Sequence, residues 1–154
     1  MLDACEAALP VEIAVCAAAV ADWRPAERHL QKLKKQIGRE APGLTMIENP
    51  DILRTLSQPG PMRPRLVIGF AAETENIEMN AQRKLTSKGC DWILANNVAA
   101  EQGTFGGDEN RVLLFDGRGD PEIWPAMAKT AVAERLVSRM IEHLDPRRST
   151  DKGA

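Results

Sequence analysis

Apolar residues fall along this chain in short unbroken runs separated by stretches with helical spacing. Ile13-Ala14-Val15-Cys16, Leu66-Val67-Ile68-Gly69-Phe70 and Trp92-Ile93-Leu94-Ala95 are continuous runs, the pattern of strands covered on both faces. The first is read as the end of a buried strand over Val11 to Cys16. Between the later runs, Ile77, Ala81 and Leu85 repeat every four residues, marking one face of a helix. Thr74 is its expected N-cap, with Glu75 and Glu78 in the first turn and Gly89 just past its end. Ala128, Val132, Leu136, Met140 and Leu144 mark a last helix, entered through Trp124-Pro125. Leu2 to Leu9 reads as a helix stopped by Pro10. Leu44 to Ile47 reads as a strand. Asn49 followed by Pro50 reads as a helix start, with Asn49 as the cap and Pro50 at the first helical position. That helix runs to about Ser57, before Pro59, Gly60, Pro61 and Pro64. Arg111 to Phe115 is a strand, and Asp116 to Asp120 is a turn. Residues 17–26 and 96–110 are loops.

Strands alternating with helices predict an α/β, Rossmann-like three-layer fold with a mostly parallel sheet. The hairpin-like segment at 111–124 adds an antiparallel edge. One domain is expected over residues 1–145, followed by a flexible polar tail at 146–154. A nucleotide-binding fold of this kind opens with a strand, a Gly-rich turn and a helix. This sequence has neither GxGxxG nor a Walker A motif and begins in a helix leading to a strand. The N-terminal strand-turn-helix of a larger domain is therefore expected to be missing.

Composition narrows the function classes. A length of 154 residues with 44% hydrophobic and 27% charged positions suits a globular domain with a real core. A net charge of -2 speaks against a general nucleic-acid footprint. No apolar run approaches the roughly 20 residues needed to span a membrane. The start of the chain lacks the basic region of a signal peptide. Three scattered cysteines without a CxxC read as reduced thiols of a cytoplasmic protein. His29 and His143 are the only histidines, and no spacing matches a metal site.

The candidate chemistry lies at strand ends. Ala17-Ala18-Ala19-Val20-Ala21-Asp22-Trp23-Arg24-Pro25 follows the first apolar run. Small residues there let a ligand approach the backbone, and ligands of open α/β sheets bind at the carboxyl ends of strands. Asp22 either contacts a base, sugar or metal, or caps a turn. Trp23 either stacks on a ligand or packs. Lys32, Lys34 and Lys35 either neutralise a polyphosphate or form a solvated charged face. Lys84 and Lys88 share a helix face by spacing, as a pocket wall or as complements to the helix dipole. Phe70 either walls a base pocket or packs in the core. Cys90 reads as structural. No Ser-His-Asp set and no paired carboxylates are visible.

Taken in order, the segments Ala18 to Arg24, Lys32-Leu33-Lys34-Lys35, Asn49-Pro50-Asp51-Ile52, Gly69-Phe70-Ala71-Ala72-Glu73-Thr74 and Ala95-Asn96-Asn97-Val98 resemble the phosphopantothenate–cysteine ligase domain of bacterial coenzyme A biosynthesis. In that family the domain sits behind a phosphopantothenoylcysteine decarboxylase in a bifunctional flavoprotein. The resemblance covers about residues 2–145. It implies a cytoplasmic ligase forming a carbon–nitrogen bond. CMP is transferred from CTP to the carboxylate of 4′-phosphopantothenate, and L-cysteine then attacks the acyl-cytidylate. Lys32 would stabilise the phosphate charge as the catalytic residue. Ala18, Asp22, Asn49, Pro50, Asp51, Ile52, Leu53, Phe70, Lys84 and Lys88 would bind the nucleotide, with free N–H groups at the helix start after Asn49 suited to anions or base edges. Magnesium would arrive with the triphosphate, without a dedicated protein metal site. The resemblance further implies a homodimer and no flavin in this portion. Because the Gly-rich first strand-turn and the decarboxylase half are absent from the sequence, the chain alone is expected to be inactive or impaired. Two alternatives stand beside this reading. One is a non-catalytic nucleotide-binding or assembly fragment of the same fold. The other, a Rossmann oxidoreductase, is disfavoured by the lack of a dinucleotide fingerprint.

Overall fold

The computed structural model describes residues 1–27, 43–97 and 109–145. Four helices and seven strands occur among the described residues: α1 (Leu2–Ala7), β1 (Ile13–Cys16), β2 (Trp23–Pro25), β3 (Met46–Glu48), α2 (Ile52–Leu56), β4 (Leu66–Glu73), α3 (Ile77–Lys88), β5 (Trp92–Asn97), β6 (Glu109–Phe115), β7 (Glu122–Ala128) and α4 (Lys129–Leu144). Five strands form one sheet in the order β1-β4-β5-β6-β7, while β2 and β3 form a separate antiparallel pair. β1, β4 and β5 run parallel. β6 and β7 add two antiparallel pairings, so the expected antiparallel edge is two strands wide. The expected flexible tail at 146–154 and the interior of the 96–110 loop lie outside the described residues.

β4 carries the architecture. Leu66 to Ile68 and Ala71 are essentially without solvent contact, as a strand flanked and covered on both sides requires. Its residues alternate between two cores. Leu66 and Ile68 join Trp92, Leu94, Val112, Leu114 and Trp124 beneath α4, through Val132, Leu136 and Met140. Val67 and Ala71 join Ile93, Ala95 and Phe115 beneath α3, through Ala81 and Leu85. Helices thus cover both faces, giving the three layers predicted. The last turn of α4 is fixed by His143, whose ring meets Trp92 edge-on with centroids 5.0 Å apart.

Four local expectations are corrected. β1 is the edge strand of the sheet and only half-buried, whereas its apolar run had suggested a buried one. Part of the 17–26 loop is strand, because β2 pairs with β3 from Trp23 opposite Glu48 to Pro25 opposite Met46. Thr74 does not cap α3: β4 continues to Glu73, paired with Asn97, and the turn into the helix is made by Asn76 at φ 48°, a left-handed conformation that asparagine tolerates. Trp124 and Pro125 lie in β7, one strand earlier than the helix entry expected. Proline is tolerated on an edge strand, and the pairing shifts register between Asn110 and Val112. Trp124 is fully buried, with the Arg135 guanidinium 5.0 Å from its ring centre.

Two close fits place α2, the element that shapes the site. Arg63 donates to Ser57 O at 3.0 Å and Pro64 O at 2.9 Å, and pairs with Asp91 at 3.0 Å. Asp91 also accepts the Val67 N–H at 2.7 Å, tying the end of α2, the start of β4 and the start of β5 together. At Gly69 a Cβ would lie 2.5 Å from Leu53 Cδ2 and 2.8 Å from Ile93 Cδ1. The missing side chain lets Leu53 seat α2 directly on β4. Overpacking of this kind costs about 1–3 kcal/mol. Gly69→Ala is expected to lower unfolding stability by that amount in a denaturant titration, and Leu53→Ala on the Gly69→Ala background is expected to recover part of it.

Candidate functional site

A cavity of about 320 Å³ opens beside the carboxyl end of β1 and the adjoining part of β4. Its walls are the end of β1 and the loop after it, the segment from Glu48 to Leu53, Phe70 on β4, Lys88 on the last turn of α3, Cys5 on α1 and Met1 just before it. The parallel pairing sets this up: Cys16, the last residue of β1, lies opposite Gly69, and Phe70 follows at the mouth, 37% exposed. Beyond Cys16 the wall is Ala17, Ala18, Val20 and Ala21, side chains too small to screen the backbone from a ligand.

The Glu48–Leu53 segment is held by its own polar groups. The side chain of Asn49 donates through Nδ2 to Ala21 O at 2.7 Å and accepts at Oδ1 from Arg24 at 2.8 Å. Its amide is therefore spoken for, and the cap of α2 is Asp51, whose Oδ1 accepts the Arg54 N–H at 3.0 Å. This corrects the expected cap by two positions and puts Pro50 ahead of the helix. It also changes the electrostatics of the helix start, where a carboxylate already satisfies one backbone donor. The other Asp51 oxygen accepts from Lys88 Nζ. Partial burial pushes the Asp51 carboxyl upward, but the Lys88 hydrogen bond, the Arg54 N–H and the charges of both cations outweigh it, holding the group below its ordinary 3.8. Burial raises the Cys16 thiol above its ordinary value, helped by Cys5 and by the Asp51 charge. Burial pushes the Cys90 thiol to about 11, in keeping with a structural cysteine.

The cavity brings together Ala18, Asp22, Asn49, Pro50, Asp51, Ile52, Leu53, Phe70 and Lys88. Lys84 is not among its walls. It lies 2.7 Å from Glu73 Oε1 at the end of β4, so two lysines on one helix face serve two different carboxylates. Lys32, with Lys34 and Lys35, lies outside the described residues. Trp23 is exposed at 58% on the β2–β3 pair and does not pack in the core. Cys5, Cys16 and Glu48 line the cavity without having been singled out. Cys16 had a signal, as the last residue of a strand before a small-residue loop. Cys5 had none, since its approach depends on how α1 folds back. Asp22, Glu48, Asp51 and Lys88 are the charged side chains among the described walls. Among the described residues no group of three or more metal-ligating side chains is assembled.

The family model for the DNA/pantothenate metabolism flavoprotein C-terminal domain matches residues 1–144. The chain belongs to this family. It is 37% identical over 129 residues to the Coenzyme A biosynthesis bifunctional protein CoaBC of Vibrio vulnificus, covering 84% of this chain and 32% of that protein. It is 36% identical to the protein of the same name from Escherichia coli K12, covering 83% and 31%. The chain thus spans about a third of the length of these curated relatives. A crystal structure of the C-terminal domain of a Coenzyme A biosynthesis bifunctional protein CoaBC superimposes with a TM-score of 0.63 at 30% identity, covering 87% of this chain and 57% of that one. The DNA/pantothenate metabolism flavoprotein from Streptococcus pneumoniae gives the same TM-score at 19% identity, over 87% of this chain and 62% of that one, and shows the fold alone.

The Asp51–Lys88 pair fixes a pH dependence. Asp51 titrates lower in the folded chain than its unfolded value near 3.9. Its contribution is present in full above that value and is lost as pH falls through the lower folded one. Asn is also a good helix cap, so Asp51→Asn removes the charge and keeps the cap. At pH 6 the variant is expected to be less stable by at most about 1 kcal/mol, the ceiling for partly exposed pairs. The difference from wild type should shrink below pH 4 in parallel denaturant titrations.

Proposed function

We propose that this chain acts in coenzyme A biosynthesis as the nucleotide-binding part of a CTP-dependent phosphopantothenate–cysteine ligase. The observation that carries the reading is convergence. Residues from three of the five motifs, Ala18 and Asp22, Asn49 to Ile52, and Phe70, meet with Leu53 and Lys88 in one cavity at a parallel strand end, where open α/β sheets take their ligands. The relatives named for coenzyme A biosynthesis supply the pathway.

A carboxylate is a poor electrophile. In the proposed reaction an oxygen of the 4′-phosphopantothenate carboxylate attacks the α-phosphorus of CTP, the bond to the β-phosphate oxygen breaks, and pyrophosphate leaves. The cysteine amine then attacks the acyl carbon, loses a proton, and CMP departs with the bonding electrons. Both steps need positioning and charge neutralisation more than a protein nucleophile, which suits a cavity built from backbone, carboxylates and a lysine.

The wall charges divide the labour. With Asp22, Glu48 and Asp51 opposing Lys88, the described wall suits the base and ribose, whose amino and hydroxyl groups donate hydrogen bonds. The triphosphate falls to Lys32 and to magnesium. Magnesium arrives with the triphosphate, as part of the MgCTP substrate. A decarboxylase partner half, a homodimer and a cytoplasmic setting complete the reading. No helix of the described residues is long and apolar enough to cross a membrane.

Calorimetric titration tests this. MgCTP is expected to bind at least about tenfold more tightly than MgATP or MgGTP, a discrimination of about 1.4 kcal/mol. Lys32→Ala should weaken MgCTP by a similar factor and flatten its salt dependence. Equal affinity for all three nucleotides, or an unchanged Lys32→Ala variant, contradicts the proposal.

A further inference from the structure

The cavity wall at residues 17–22 is exposed and made mostly of small side chains, which bring little packing of their own. Asn49 ties it down. The Asn49 backbone N–H donates to Asp22 O at 2.7 Å, and its side-chain Nδ2 donates to Ala21 O at 2.7 Å. Behind Asn49 stands Arg24. Its Nη1 donates to Asn49 Oδ1 at 2.8 Å and to Glu48 O at 2.9 Å. Arg24 sits on β2 opposite Ile47 of β3 and does not line the cavity.

The chemistry of these partners is one-directional. A guanidinium only donates and a peptide oxygen only accepts. With Arg24 in place, the amide of Asn49 has one satisfied orientation: Oδ1 toward the guanidinium and Nδ2 toward Ala21. A charge-assisted bond is about twice as strong as a neutral one, so Arg24 decides that orientation. Without Arg24 the amide can rotate, and Ala21 O loses its donor for part of the time.

We propose that Arg24 is a positioning residue for the nucleotide site: it touches no ligand, but through the Asn49 amide it holds the Ala21–Asp22 wall in binding geometry. The functional half of this inference rests on reading the cavity as a nucleotide site. A wall that must be ordered on binding costs affinity, and Arg24 does the ordering in advance.

The test compares wild type with Arg24→Ala, Arg24→Lys, Asn49→Ala and the Arg24→Ala/Asn49→Ala double variant. Three readouts are taken: hydrogen exchange at the Asn49 N–H without ligand, MgCTP affinity, and the global unfolding midpoint. Arg24→Ala is expected to speed Asn49 exchange by about tenfold and weaken MgCTP by about tenfold, the effect of losing roughly one hydrogen bond. The unfolding midpoint should stay put, because β2 lies outside the five-stranded sheet. Arg24→Lys should recover part of both losses. The double variant should bind no more weakly than Asn49→Ala, since the two residues act through one bond. Unchanged exchange in Arg24→Ala, additive losses in the double variant, or unchanged MgCTP affinity beside a wild type that binds, overturns the proposal. A wild-type chain that fails to bind MgCTP overturns the nucleotide reading instead, and the exchange rates then decide alone whether Arg24 holds the wall.

Discussion

The absence of a side chain at Gly69 is the constraint on which the site depends. β4 is packed on both faces, and a Cβ at this one position would run into Leu53 and Ile93. Because it is missing, α2 settles onto the sheet and brings Asp51 into an ion pair with Lys88 at the cavity wall. Gly69 also pairs with Cys16, so the same point in the sheet sets where β1 ends and the small-residue wall begins. Protein interiors are close-packed enough that a shift at one contact is passed on. A rigid parallel centre, a short helix pulled close, and a loop clamped from outside together make the cavity.

The polar contacts follow a division of roles. Arg63 and Asp91 join the starts of β4 and β5 to the end of α2 at partly buried positions, which steadies the frame. Arg24 and Asn49 fix the exposed wall. Asp51 and Lys88 line the cavity and pair with each other there. On the far side of the sheet, Glu122 pairs with Arg135 and Arg139 and fixes α4 against β7, away from the site. Partial burial raises the Glu122 carboxyl, but those pairings prevail and hold it below 4.5.

Much of this was legible in the sequence because it follows from periodicity. The unbroken runs at 66–70 and 92–95 are central strands, the four-residue repeat over Ile77 to Leu85 is α3, and the stripe from Val132 to Leu144 is α4. What failed depended on partners distant in sequence. An apolar run does not reveal that, among the described residues, β1 has a strand neighbour on one side only. Asn49 is a good cap by propensity, yet its amide is taken by Ala21 and Arg24, 28 and 25 residues away. Thr74 lost the cap because β4 ran on to pair with Asn97. Within the site, motif order identified most of the cavity wall. It could not show that Lys84 answers to Glu73, since helical spacing tells which face a lysine occupies and not which carboxylate waits there.

The central claim is that one cavity beside the end of β1 is the nucleotide site. Backbone amide shift mapping of the chain during an MgCTP titration tests it most directly. The account predicts saturable shifts concentrated at residues 17–22 and 49–53, at Phe70 and at Lys88. Shifts gathered instead at the Asp116–Asp120 turn or along α4, with those segments unmoved, would contradict it.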